Sequence, residues 1–205
     1  MDHNHLTVSL GFTDENVPLG AHICQIYSEK NECIDSLLKF LLSGLQQGER
    51  TACFSDKVDG SYLSEFLANY NIAYDECQHN QAVTLAGTSS VYFQNNLFDP
   101  DWMLSTLTNY YQESLNLGFP IARLIGEMPP EIQNISGGNR LLEYESRVSL
   151  LLEDHPVTTV CQYDANLFDG AVIMDILKVH PQMIVNGTVI YNPFYIPPNE
   201  FLNKV

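Results

Sequence analysis

Glu145 is the residue whose setting most demands an explanation. Leu141, Val148 and Leu152 recur with it at helical spacing, so a carboxylate interrupts one apolar stripe of a helix expected over about 139–153. A buried carboxylate needs a charged or hydrogen-bonding partner, or it stays protonated. Arg123, inside a strand expected over 120–126, is the candidate partner, either in a structural ion pair or in one that faces a ligand. A stripe displaced by one residue would instead leave Glu145 in water.

Two histidines join it as candidates. His22 lies in an apolar strand candidate, 21–27, where it is a hydrogen-bonded core residue or a pocket residue. His180 ends a helix just before Pro181, so it either interacts with the helix C-terminus or meets a ligand. His155, also followed by proline, serves a helix boundary. His3 and His5 stand near the terminus. No two histidines are spaced i, i+4 on a helix and no Cys/His group has zinc-site spacing, so no metal and no cofactor is expected. A G-x-S-x-G elbow is missing, and Cys161 has no activating partner readable from the sequence; no catalytic residue is assigned and an enzyme is not expected.

Tyr27, Tyr163, Tyr191, Phe194 and Tyr195 fall at or just beyond strand ends, where they either line a cavity or pack the sheet. Asp56 and Asp164 follow strands, as polar contacts or caps. The turn after the first core strand is where an open α/β sheet usually meets its ligand. Here it reads Ser28-Glu29-Lys30-Asn31-Glu32-Cys33, with no glycine and two carboxylates. A phosphate loop needs glycines to expose amides, and an anion would find the helix N-terminus already supplied with negative charge.

Positioning these residues requires alternating strands and helices. Ile34, Leu37, Leu38, Leu41 and Leu45 make one helical face, closed by Gly48 and followed by a strand over 50–55. A second helix covers 60–70; 71–81 resists assignment; 83–93 suggests one or two short strands broken by Gly87. Asp99-Pro100 opens a helix running to Leu117. Residues 128–139, with two prolines and two glycines, read as a loop over the sheet edge. Residues 157–163 form a strand by their β-branched content, and about 167–179 a helix. Met183–Val185 and Thr188–Tyr191 flank Asn186-Gly187 as a hairpin. The proline-rich stretch 192–198 is expected to lie extended along the domain. The order predicts an α/β three-layer sandwich with a mainly parallel sheet, in a single domain spanning 1–205, with an N-terminal arm over 1–20 and a proline-rich tail over 192–205.

Composition narrows the partners. Nine basic residues against 25 acidic ones give a net charge of -16, which repels nucleic-acid backbone and anionic membrane surfaces. Five cysteines without a CxxC pair fit a reducing compartment, and no signal peptide or run of 18 apolar residues is present, so the expected location is cytoplasmic. A homodimer is compatible with the chain, dimers being common.

The segment 22–27, followed by Phe40-Leu-Leu-Ser-Gly-Leu-Gln-Gln-Gly-Glu49 and a strand, resembles the MEDS domain, the methanogen/methylotroph sensory domain also found in the dichloromethane-responsive repressor. Leu142-Glu-Tyr-Glu145, Val160-Cys-Gln-Tyr-Asp164, His180-Pro181 and Asn192-Pro193 continue the resemblance, over nearly all of 17–198. It implies a core like those of KaiC and RecA whose phosphate loop has been lost, a degenerate P-loop fold. It also implies a sensor of hydrocarbon derivatives or one-carbon-related compounds, acting in signal transduction or transcription regulation. Carried over, its pattern falls on His22, Tyr27, Glu145, Tyr163, Asp164 and His180, with Arg123 and Asn192 beside them as ligand-binding residues. No output domain fits after Val205 and no DNA-binding segment before residue 20, so a separate histidine kinase or transcription regulator is the expected partner. The ligand pocket is expected at the C-terminal ends of the core strands, with binding reordering the 128–139 loop or the tail. The alternatives are an adaptor that keeps the ATPase shape and works by surface contacts without a small-molecule ligand, and a divergent enzyme using Glu145 or His180 as acid or base.

Overall fold

The computed structural model describes residues 6–204; His3 and His5 lie outside them. Seven strands form the main sheet: β3 (His22–Tyr27), β4 (Arg50–Phe54), β5 (Val83–Ala86), β6 (Ala122–Glu127), β7 (Val157–Asp164), β8 (Gln182–Val185) and β9 (Thr188–Tyr191). Their order is β5-β4-β6-β7-β3-β8-β9, and every pairing is parallel except the β8–β9 hairpin. Two further short strands, β1 (Thr7–Ser9) and β2 (Asn16–Pro18), pair antiparallel ahead of it.

Helices cover both faces. On one side lie α1 (Lys30–Gln46), α2 (Gly60–Ala68) and α3 (Tyr74–His79), and α1 and α2 bury Leu37, Phe40, Leu41, Leu63 and Leu67 with Ile23, Ile125 and Val160 of the sheet. On the other lie α4 (Thr88–Tyr92), α5 (Pro100–Asn116), α6 (Leu141–Asp154) and α7 (Gly170–Val179), with Met103, Leu107, Val148 and Ile176 against Leu124 and Val157. Each leucine so enclosed contributes about 1.5–3 kcal/mol of burial. This is the α/β three-layer sandwich that the alternation of elements predicts. Strand β3 and strand β4 are parallel, yet β7 and β6 lie between them.

Several local readings hold for stated reasons. Asp99 accepts from the Asp101 amide, and Pro100 starts α5. Asn186 and Gly187 take φ of 49° and 77°, the left-handed pair that a two-residue hairpin turn requires. Gly44 has a packing reason: a Cβ there would come 2.8 Å from Arg123 Cδ, so α1 can cross the sheet this closely only without one.

Others are corrected. Residues 88–92 are helix α4, not strand, because the Asp56 carboxylate, 32 positions earlier, accepts from the Thr88 amide and hydroxyl and supplies the helix start. Residues 74–79 form α3. The 128–139 segment leaves β6, an interior strand, and holds two 3-10 turns, Pro130–Gln133 and Gly138–Arg140; it does not run over a sheet edge. The tail is not simply extended: Asn192 Oδ1 accepts from the Phe194 amide to close a turn, Ile196 donates its amide to Lys178 O, and a short helix, α8 (Pro198–Phe201), follows.

Candidate functional site

Register decides which side chains meet. Residues paired across parallel strands share a face, and neighbours along a strand alternate. Cys24 pairs with Cys161 and Ile26 with Tyr163, so His22, Cys24, Cys161 and Tyr163 all face the layer of α5, α6 and α7. Ile23, Gln25 and Tyr27 face α1.

Glu145 descends from α6 onto that first group and is fully buried. Its Oε1 accepts the Tyr163 hydroxyl at 2.6 Å. Its Oε2 lies 3.3 Å from His22 Nε2, 3.5 Å from His180 Nε2 and 3.7 Å from Cys161 Sγ, and Cys161 Sγ stands 3.6 Å from His22 Nε2. The far side of each imidazole is held. His22 Nδ1 is 2.9 Å from Ser149 Oγ, one turn along α6 from Glu145, and His180 Nδ1 donates to Ile176 O at 2.9 Å. Asn192 braces the corner by donating its side-chain amide to Leu177 O and His180 O.

The electrostatics are those of an enclosed carboxylate facing two imidazoles. Burial pushes the Glu145 carboxyl upward, but the neighbouring His180 and His22 imidazoles outweigh it and hold the group below the usual carboxylate range. His22 is lowered to about 4, by burial first and then by the neighbouring His180, against the pull of Glu145. Burial and Glu145 together push the Cys161 thiol and the Tyr163 phenol well up, so both keep their protons. The arrangement can accept a proton, donate hydrogen bonds to one point, or hold a cation.

A cleft of 280 Å³ opens at His22 and Ser149, walled by Leu19, Gln182, Tyr191 and Tyr195. It lies where β3 and β8 begin, whereas the pocket was expected at the C-terminal strand ends. At the C-terminal ends of β3, β4 and β6, Glu127 accepts from Tyr27 at 2.6 Å and Ser55 at 2.9 Å and pairs with Lys57, which also reaches Tyr27 at 3.1 Å; a separate cavity of 470 Å³ lies beyond β6 and β7, between Ile132, Leu141 and Val172.

The expected residues therefore divide. His22, Glu145, Tyr163 and His180 converge, with Asn192 bracing them. Tyr27 sits on the opposite face with Glu127 and Lys57. Asp164 closes a turn by accepting from the Asn166 amide at 2.9 Å. Arg123 is not the partner of Glu145: it alternates with Leu124, faces α1, and pairs with Glu49 while donating to Ser9 O at 2.7 Å. Reasoning from sequence passed over Cys161 as a member of the group, and Ser149 and Glu127 altogether. For Glu127 a signal existed, a carboxylate ending an apolar strand; for Ser149, its spacing of four from Glu145.

Only Ser28 and Glu29 separate β3 from α1. A glycine loop that wraps phosphates requires several residues there, and this turn has no length for one. A KaiC/RecA-like core with a largely parallel sheet and no phosphate loop is the class so defined. Solved structures with this architecture include a KaiC-like protein from the hyperthermophilic archaeon Pyrococcus horikoshii, at TM-score 0.57 and 13% identity over 87% of this chain and 79% of that one. The flagellar accessory protein FlaH from Methanocaldococcus jannaschii is also similar, at TM-score 0.54 and 12% identity over 89% and 83%. Comparison with curated proteins gives no match. Residues 21–181 match the model of MEDS, the methanogen/methylotroph, DcmR sensory domain, and the chain belongs to that family. It is a sensory domain built on a KaiC/RecA-like fold. Among the described residues no helix is long and apolar enough to cross a membrane.

Proposed function

We propose that this domain senses a small organic molecule, a hydrocarbon derivative or one-carbon-related compound, in the cleft floored by His22 and Ser149. The observation that carries the reading is continuity: the cleft touches His22, which leads without a break to Glu145, His180 and, through Asn192, to the tail. A volume of 280 Å³ suits a compound of a few heavy atoms. Tyr191 and Tyr195 supply apolar walls with hydroxyl tips, and Ser149 a hydrogen-bonding floor. An occupant that competes for Ser149 releases His22 Nδ1, alters its bond to Glu145, and shifts the α7–β8 corner that His180 occupies. The tail, which contributes Tyr195, then carries the change to a separate histidine kinase or transcription regulator in the cytoplasm. With a net charge of -16, the domain reaches nucleic acid through that partner and not directly.

Ligand-observed NMR with a panel of one- to four-carbon halides, alcohols, amines and thiols tests this. Saturable binding of at least one compound is expected, weakened about tenfold or more, or at least ~1.4 kcal/mol, by Tyr195→Ala. Failure of every compound to saturate, or equal binding by the variant, would remove the proposal.

A further inference from the structure

We infer that His22, Glu145, Cys161 and His180 bind a single divalent transition-metal ion of the zinc type. Their four ligand atoms come from β3, α6, β7 and the end of α7, and all lie within 4.8 Å of one another. Around a tetrahedral ion with metal–ligand bonds of about 2.0–2.3 Å, neighbouring ligand atoms stand about 3.3–3.8 Å apart. The four separations given above, 3.3, 3.5, 3.6 and 3.7 Å, fall in that range. The two imidazole–carboxylate separations, 3.3 and 3.5 Å, are too long for direct charge-assisted bonds between imidazolium and carboxylate, which close to about 2.7–2.9 Å.

The outer groups fit the same reading. His180 donates its Nδ1 proton to Ile176 O, which leaves Nε2 as a lone pair; that atom is buried, has no hydrogen-bond partner and is aimed at the cluster. His22 is held through Nδ1 by Ser149, and Tyr163 occupies Glu145 Oε1, leaving Oε2 to the ion. Metal-bound histidines and carboxylates are fixed in this way by a second ring of hydrogen bonds. Charge also balances: among the described residues Glu145 has no Lys or Arg partner, and one carboxylate with one thiolate would neutralise a divalent cation. Two nitrogens, one oxygen and one sulfur select zinc, cobalt or nickel over the hard cations calcium and magnesium. On binding, the Cys161 proton leaves to solvent and the thiolate ligates.

The inference goes beyond the sensing proposal and does not depend on it. Metal-free protein is titrated with Co²⁺ and followed by visible absorption, and Zn²⁺ is then used to displace the cobalt. One equivalent is expected, with tetrahedral d–d bands and a sulfur-to-cobalt charge-transfer band. Cys161→Ser should abolish the charge-transfer band, and His180→Gln the one-to-one stoichiometry. Ser149→Ala, which leaves the four ligands in place, should weaken Zn²⁺ about 10- to 100-fold. Wild-type protein that is folded by circular dichroism yet takes up no cobalt overturns the inference. Equal uptake and spectrum in Cys161→Ser and His180→Gln overturns it too.

Discussion

Replacing Glu145 by leucine should destabilise the domain by about 2–5 kcal/mol, at about 1–3 kcal/mol for each buried polar group left without its partner. Leucine fills the volume, so the loss does not come from a cavity. It comes from the enclosed groups that lose their acceptor, the Tyr163 hydroxyl above all and His22 Nε2 beside it. Glu145→Gln keeps an acceptor for Tyr163 and removes only the charge, so its loss should be smaller, about 1–3 kcal/mol. Urea denaturation with unchanged m-values would measure both. A leucine variant within about 0.5 kcal/mol of the parent, as surface substitutions are, would show that the cluster is not a coupled unit.

The second large effect belongs to the other face. Arg123 is fully buried, pairs with Glu49, stacks over Phe40 at 5.0 Å and donates to Ser9 O at 2.7 Å, which ties the β1–β2 segment to α1 and the sheet. Arg123→Met leaves the Glu49 carboxylate enclosed without a partner, and about 3–5 kcal/mol should be lost. Burial already raises the Glu49 carboxyl despite the arginine beside it, so the desolvation cost is real. Adding Glu49→Leu to Arg123→Met should therefore recover part of the loss, leaving mainly the cost of the lost Arg123–Ser9 bond, since Ser43 Oγ still donates to Ser9 O at 3.0 Å. Thermal and urea unfolding of the two single variants and the double variant would show it. Additive losses would mean that the two residues act independently.

Sequence periodicity carried the layers well and the site unevenly. Glu145 stood out because a charge breaks an apolar helical period, a signal that needs no partner to be read. His22 and His180 offered no local signal that they meet; 158 positions separate them, and only strand order brings β3 beside β8. The pairing of Arg123 with Glu145 failed for the same kind of reason. Every residue of β6 is buried, so no alternation of polar and apolar types discloses which face Arg123 takes. Tyr27 is different. His22 and Tyr27 lie five apart on one strand, and odd spacing alone places them on opposite faces. Cys161 and its ligand-like neighbours escaped because spacing rules see only ligands carried on one helix or loop, and these come from four elements.

The central claim is that the responsive part of this domain is the His22–Glu145–His180 group and not the turn that follows β3. NMR titration of isotope-labelled protein, first with Mg²⁺-ATP and then with the organic panel, tests it most directly. The account predicts that millimolar-range nucleotide leaves the amides of residues 28–33 in place, while a bound organic compound moves the imidazole signals of His22 and His180 and the Ser149 amide. Saturable movement of residues 28–33 by nucleotide, with both imidazoles unresponsive to every compound, would contradict it.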